Sequence, residues 1–187
     1  MSAHSESAKA TDAQCVSLTK SAASGEVMEI HGRYDVVCFG EDGVEKWRDT
    51  IENLVVTVGK NDMLDKYFAG SGYTAAWYMG LVDGGSAPTY NAADTLASHA
   101  GWTESTAYSG TNRITVGWNS AASGSKASTA TSFTMSGTAT IAGALMCQTQ
   151  VRATTTGILY SAGNFTGGNR SVVLNDVLQV TYTATLT

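Results

Sequence analysis

Residues 27–39 divide into two faces, with Met28, Ile30, Tyr34, Val36 and Cys38 on one and Glu29, His31, Arg33 and Asp35 on the other. A period of two predicts a strand. Gly40-Glu41-Asp42-Gly43 follows as a turn, with glycine where a positive φ is needed, and residues 44–51 return as a second strand carrying Trp47. Residues 177–186 alternate most regularly of all. Leu178, Val180, Tyr182, Ala184 and Leu186 face one way, and Gln179, Thr181, Thr183 and Thr185 face the other. An antiparallel strand covered on one side and wet on the other has this pattern.

The period changes after the hairpin. Leu54, Val58, Leu64, Tyr67 and Phe68, with Asn61, Asp62 and Lys66 between them, predict an amphipathic helix. Asn53 is its expected N-cap, Gly70 lies just beyond its end, and Gly59 weakens its middle by about 1 kcal/mol. Residues 73–82 predict a strand with Tyr73, Ala75, Trp77, Met79 and Leu81 on one side. Pro88 then opens a loop leading to a short helix over residues 92–99. Short strand candidates follow at residues 103–108, 113–118, 128–135, 138–146 and 157–161.

About nine strands, spaced by roughly 8–14 residues, predict a mainly β fold. The expected architecture is an antiparallel β-sandwich, jelly-roll or immunoglobulin-like, with one or two short helices. The connection 84–102 is expected at one end of that sandwich. Residues 1–25, rich in Ser and Ala and without apolar periodicity, are expected to form an N-terminal arm. Residues 26–187 then form the sandwich domain.

Composition narrows the functions open to such a domain. Only 14 % of the 187 residues are charged, against roughly 25 % in an ordinary soluble protein, while 43 % are hydrophobic. Thr, Ser, Gly and Ala take the place of the missing charge. A net charge of −5 with scattered Lys and Arg argues against a nucleic-acid surface. No apolar run approaches the roughly 20 residues that span a bilayer, so no membrane partner is expected. The first residues lack an apolar signal region, which predicts synthesis in a cytosol. Cys15, Cys38 and Cys147 are too few and too widely spaced for a disulfide framework or a paired-cysteine metal site.

Candidate chemistry is sparse. His4, His31 and His99 have no second ligand at metal-binding spacing, so neither a metal nor a cofactor is expected. Neither a G-x-S-x-G elbow nor a phosphate-cradling glycine loop occurs. The closest acid pairs are Glu41/Asp42, in a hairpin turn, and Asp62/Asp65, one helical turn apart and flanked by Lys60 and Lys66. Both read as solvated surface groups, whereas general acid–base work needs desolvated carboxylates. No catalytic residue is assigned, and the chain is expected not to be an enzyme. Asn164-Phe-Thr and Asn169-Arg-Ser match the glycosylation pattern and, without a secretory signal, read as chance matches.

The aromatic residues offer more. Trp77 and Tyr78 are adjacent in one predicted strand and so point to opposite faces. Trp102 follows a glycine at a loop end, and Trp118 ends a strand before the Gly/Ser-rich run 119–128. Ordinary packing accounts for such residues. Trp and Tyr are also enriched at interface hot spots, so Trp77, Tyr78, Trp102 and Trp118 are the candidate interface residues. A sugar-stacking platform uses the same side chains.

Several segments together resemble a type of small virion protein of tailed bacteriophages. They are the hairpin Phe39-Gly-Glu-Asp-Gly-Val-Glu-Lys-Trp47, Asn53-Leu-Val-Val, and Gly59-x-x-Asp62-x-Leu64-Asp65-Lys66-Tyr67-Phe68. With them stand Ala76-Trp77-Tyr78-Met79-Gly80-Leu81, Asp94-Thr95-x-Ala97-Ser98-His99-x-Gly101-Trp102-Thr103-Glu104, and Val180 through Thr187. The resemblance covers residues 27–187; the long Ser/Ala arm departs from it. It implies a capsid decoration (cement) protein on the outer surface of the head, made in the bacterial cytoplasm and bridging neighbouring capsid subunits. The implied partners are the major capsid protein, other virion proteins and further copies of the chain. The competing expectation is a tail-fibre or receptor-binding module that binds host glycan.

Overall fold

The two most regular patterns in the sequence pair with each other. In the computed structural model, which describes residues 28–68, 72 and 76–187, the strand β1 (Ile30–Phe39) runs antiparallel to the last strand, β11 (Val177–Leu186). The register places Tyr34 opposite Tyr182, Val36 opposite Val180 and Cys38 opposite Leu178, so both apolar faces fall on one side. The Thr and Gln positions of β11 fall on the other. β2 (Glu45–Glu52) closes the hairpin with β1, and Gly43 takes the positive φ, 74°, that the turn requires. The chain continues through β3 (Leu54–Val55), α1 (Thr57–Phe68), β4 (Tyr78–Asp83), β5 (Ile114–Thr115), β6 (Ser125–Ala127) and β7 (Thr131–Thr134). β8 (Ala139–Cys147), β9 (Leu159–Asn164) and β10 (Arg170–Val172) lead to β11.

These strands form two antiparallel sheets, a β-sandwich. One has the order β2-β1-β11, with β6 and β7 both on β11; the other has the order β3-β9-β8-β4-β5, with β10 on β8. The main core lies between them, built from Tyr34, Val36, Cys38, Ile51, Val180 and Tyr182 against Met79, Leu81, Ile141, Ala144, Met146 and Tyr160.

A second core lies on the outer face of the second sheet. Val82, Ala142, Leu145, Cys147, Leu159 and Ala162 point there and are covered by Leu96 and Trp102, with Tyr90 beside them. The connection 84–102 therefore lies across a sheet face instead of at an end of the sandwich. This explains why β8 reads as an unbroken apolar run: both its faces are buried.

Several elements differ from expectation. β1 begins at Ile30, not 27, and the strand expected from 73 begins at Tyr78; Tyr73, Ala75 and Gly70 lie outside the described residues. No helix forms over 92–99; Asp94 instead accepts the Asn91 backbone and Trp102 indole N–H groups in a turn. Residues 103–108 contribute only isolated bridges at Glu104 and Tyr108. β6 forms inside the Gly/Ser-rich run 119–128, and β10 lies where no strand is expected. The expected arm, residues 1–25, lies outside the described residues.

The helix differs most. Leu54 and Val55 form β3 against Ala162 and Ser161, and Asn53 precedes that strand, so it is no N-cap. α1 starts at Thr57, whose N–H reaches the Ala92 carbonyl. Gly59 is its one buried residue and sits in the first turn against β9: a Cβ there would lie 2.7 Å from the Tyr160 carbonyl oxygen. The expected apolar stripe turns outward, leaving Leu64, Tyr67 and Phe68 exposed.

Candidate functional site

The outward turn of α1 matters because of what it borders. Between α1, the start of β1, the end of β11 and the loop entering β6 runs a groove of about 560 Å³. Ile30, Met63, Tyr67, Trp77, Trp118, Met146, Tyr160, Tyr182 and Leu186 give it apolar walls. The aromatic rings interlock along its floor. Trp77 meets Tyr160 edge-on at 5.3 Å, and Tyr182 takes Tyr160 at 6.2 Å and Trp118 at 6.3 Å, both edge-on. Such edge-to-face packing holds the rings rigidly.

Four polar side chains at the groove, Asp62, Lys66, Ser125 and Lys126, already have partners within the chain. Asp62 pairs with Lys66 at 3.2 Å and accepts from the Gln148 amide at 2.9 Å. Lys66 also donates to the Gly72 carbonyl, and Lys126 donates to the Asn119 carbonyl while lying over the Trp118 ring. The Ser125 hydroxyl donates to the Ala184 carbonyl. Asp62 is thus no free surface carboxylate: its side chain is 8 % exposed, because the helix leans on the sheet through Gly59. What the groove presents is apolar area and ring faces.

The four candidate interface residues separate. Trp77 and Trp118 come together in the groove, although 41 positions apart in sequence. Tyr78 begins β4 on the opposite face from Trp77, half-buried between Thr115 and Cys147. Trp102 belongs to the second core instead of a surface. It is 3 % exposed, stacked on His99 at 4.0 Å and tied to Asp94 through its indole N–H. The loop end that made it look presentable folds back over the sheet. The fourth tryptophan, Trp47, packs edge-on to Phe165 under the Arg170 guanidinium. Tyr67, Met63 and Tyr160 are groove residues that sequence reading passed over. The aromatic pair at the end of α1 was the available signal, hidden by the assumption that apolar residues face inward.

Elsewhere the titratable groups serve the fold. Glu104 and Arg113 form a bidentate pair, both N–O distances 2.8 Å, with side chains 5 % and 2 % exposed. Arg113 donates further to the Thr149 carbonyl, and Glu104 accepts the Ala153 backbone N–H. Asp49 gathers Arg170, the Thr166 hydroxyl and the backbone N–H groups of Thr50 and Gly167. Burial, with the Asp176 carboxylate adding to it, pushes the Cys38 thiol up to about 11; burial raises Cys147 as well. Thiols held protonated are poor nucleophiles and metal ligands. Among the described residues no three His, Cys, Asp or Glu side chains gather to hold a metal ion. The Asn164 side chain accepts from the Tyr90 hydroxyl and donates to the Pro88 carbonyl, so it serves packing.

No helix among the described residues is long and apolar enough to cross a membrane. In comparison with known proteins, the chain matches no family model and no curated sequence.

Proposed function

We propose that this chain is a non-enzymatic assembly protein of a bacteriophage virion, a capsid decoration (cement) protein that binds head subunits through the groove between Trp77 and Trp118. The observation that carries this reading is the groove itself: interlocked aromatic and aliphatic walls, with the charged side chains at its border, Asp62, Lys66 and Lys126, already engaged inside the chain. A surface of that kind gains from burying a partner's apolar side chains, at about 25 cal/mol per Å² removed from water. Rigid Trp and Tyr anchors are what protein interfaces use for most of their energy. The net charge of −5 suits the outside of a shell whose interior holds nucleic acid. The segments that resemble small virion proteins, including the Trp77 strand and the end of α1, supply the particular assembly.

Glycan binding is less well supported. Stacked sugars still need partners for their hydroxyls, since burying them unpaired costs about 1–3 kcal/mol each. The Asp62–Lys66 pair, Lys126 and Ser125 are engaged within the chain.

Co-sedimentation of the purified full chain with intact phage heads tests the proposal. The chain is expected to pellet with heads, and Trp118→Ala is expected to lose that binding while its urea unfolding midpoint stays close to the parent's. Binding to a glycan array instead, abolished by Trp118→Ala, would transfer the groove to the receptor-binding reading. No binding to heads at all would remove the capsid role.

A further inference from the structure

The two ends of the sandwich carry opposite surfaces. The groove lies where β1 begins and β11 ends. At the other end of the same two strands, about 30 Å away by the strand rise, two turns stand side by side. The first is the hairpin turn from Gly40, which leaves Val44 60 % exposed. The second runs from Val173 to Asp176, closed by the Asp176 N–H on the Val173 carbonyl at 3.1 Å, with Asn175 in the left-handed region at φ 66°. Its Val173 and Leu174 are 45 % and 56 % exposed, at positions where turns ordinarily carry polar residues. The turn is firmly held. The Asp176 carboxylate accepts the Val173 N–H at 2.9 Å and the Lys46 ammonium at 2.7 Å, and the Asn175 amide donates to Glu41. Three aliphatic side chains therefore project from a fixed tip. Charge divides the same way. At the tip Lys46 is taken by Asp176, which leaves Glu41 and Asp42 without a cation among the described residues. In the groove Asp62 and Lys66 neutralise each other, and Lys126 has no carboxylate partner among the described residues.

We propose that the tip of one copy, led by Val173 and Leu174, seats in the groove of a second copy between Trp77 and Trp118, with the Glu41 and Asp42 carboxylates facing Lys126. Projecting aliphatic groups meet interlocked aromatic walls, and two uncompensated negative charges meet an uncompensated positive one. Such complementarity selects the partner and fixes its orientation. The contact joins different surfaces of the two copies, so it is heterologous. Copies continue head to tail, as a filament or, if the rotation closes, as a ring. This inference rests on reading the groove as a protein-binding surface and goes beyond head binding. In an open run of copies each groove but the first is filled by the next tip, and the first stays free for a head subunit.

Sedimentation velocity of the full chain without heads tests this, from about 10 to 500 µM, a range that brackets a weak interface. The parent is expected to sediment faster as its concentration rises. Leu174→Asp spoils the tip and Trp118→Ala opens the groove wall. Each is expected to stay monomeric while its urea unfolding midpoint remains close to the parent's. Mixed in equal amounts, the two variants are expected to form a dimer and nothing larger, because one sound tip and one sound groove remain between them. Lys126→Glu is expected to weaken association at least about fivefold, and adding Asp42→Lys to restore part of it. A parent that stays monomeric throughout overturns the proposal, as does a mixture that stays monomeric while the parent associates. Either single variant associating as strongly as the parent overturns it too. Head binding is not read here, so failure of one reading leaves the other standing.

Discussion

Burial decides what single residues do in this protein. Glu104 and Arg113 show it best, because both charges have left water and each is satisfied by the other and by backbone groups. Removing one partner strands the other. Arg113→Met is therefore expected to lower unfolding stability by about 3–5 kcal/mol, whereas Arg113→Met with Glu104→Leu recovers much of the loss. Urea unfolding of the three chains checks this; a double variant no more stable than the single one would show that the pair does more than satisfy itself. Neither residue stood out in the sequence, since Glu104 and Arg113 lie in segments whose strand patterns were weak. Their meeting depends on the loop 84–112 lying over the second sheet, a long-range event that local periodicity does not record. The same event removed Trp102 from the surface. By contrast, the two-residue alternation of Tyr34, Val36 and Cys38 was readable because it depends only on the strand's own pleat.

At the scale of elements, the regular strands were legible and α1 was misread. β1, β8 and β11 carry long one-faced or two-faced apolar patterns, which the sheets then bury, and β2 follows from the turn that precedes it. β5, β6 and β10 are two or three residues long and pair on segments too short to show a period. α1 has a genuine helical pattern, yet its apolar side is not the side that packs. Its contact with the sheet is made through Gly59, so the residue that seemed to weaken the helix is what lets it approach β9. An exposed helical Gly→Ala change would gain up to about 1 kcal/mol. Here the added Cβ would meet the Tyr160 backbone at 2.7 and 2.9 Å, which neither side can relieve by rotating a side chain. Gly59→Ala is expected to destabilise the protein by about 1–3 kcal/mol and to widen the groove, raising the solvent exposure of Trp77. A thermal melt and acrylamide quenching of tryptophan fluorescence read the two effects, and a stabilised variant would mean that α1 does not rest on Gly59.

Across the whole molecule, the two sheets are joined by their shared core and also by polar ties at their edges. Asp49 in β2 of the first sheet holds Arg170 in β10 of the second, at 2.5 Å, together with the loop at Thr166 and Gly167. Burial works to raise the Asp49 carboxyl, but the hydrogen bonds from Arg170, Thr50, Thr166 and Gly167 outweigh it and hold it below the ordinary value of 3.8. A carboxyl depressed in the folded state contributes stability that is fully present above the unfolded value. That contribution is lost as the pH falls through the folded one. The tie is therefore intact near neutrality and should weaken below about pH 4. Asp49→Asn keeps the shape and removes the charge. It is expected to lose about 1–3 kcal/mol at pH 7, and to show a smaller further loss than the parent between pH 5 and pH 3. Urea midpoints across that range compare the two chains directly. Parallel curves would take Asp49 out of the acid response. Because Asp49 lies among β2, β10 and the 165–168 turn while the groove lies beside the start of β1 and the end of β11, acid should loosen the sheet edges before it reaches the groove. Acrylamide access to Trp77 and Trp118 is accordingly expected to rise only once the domain unfolds as a whole.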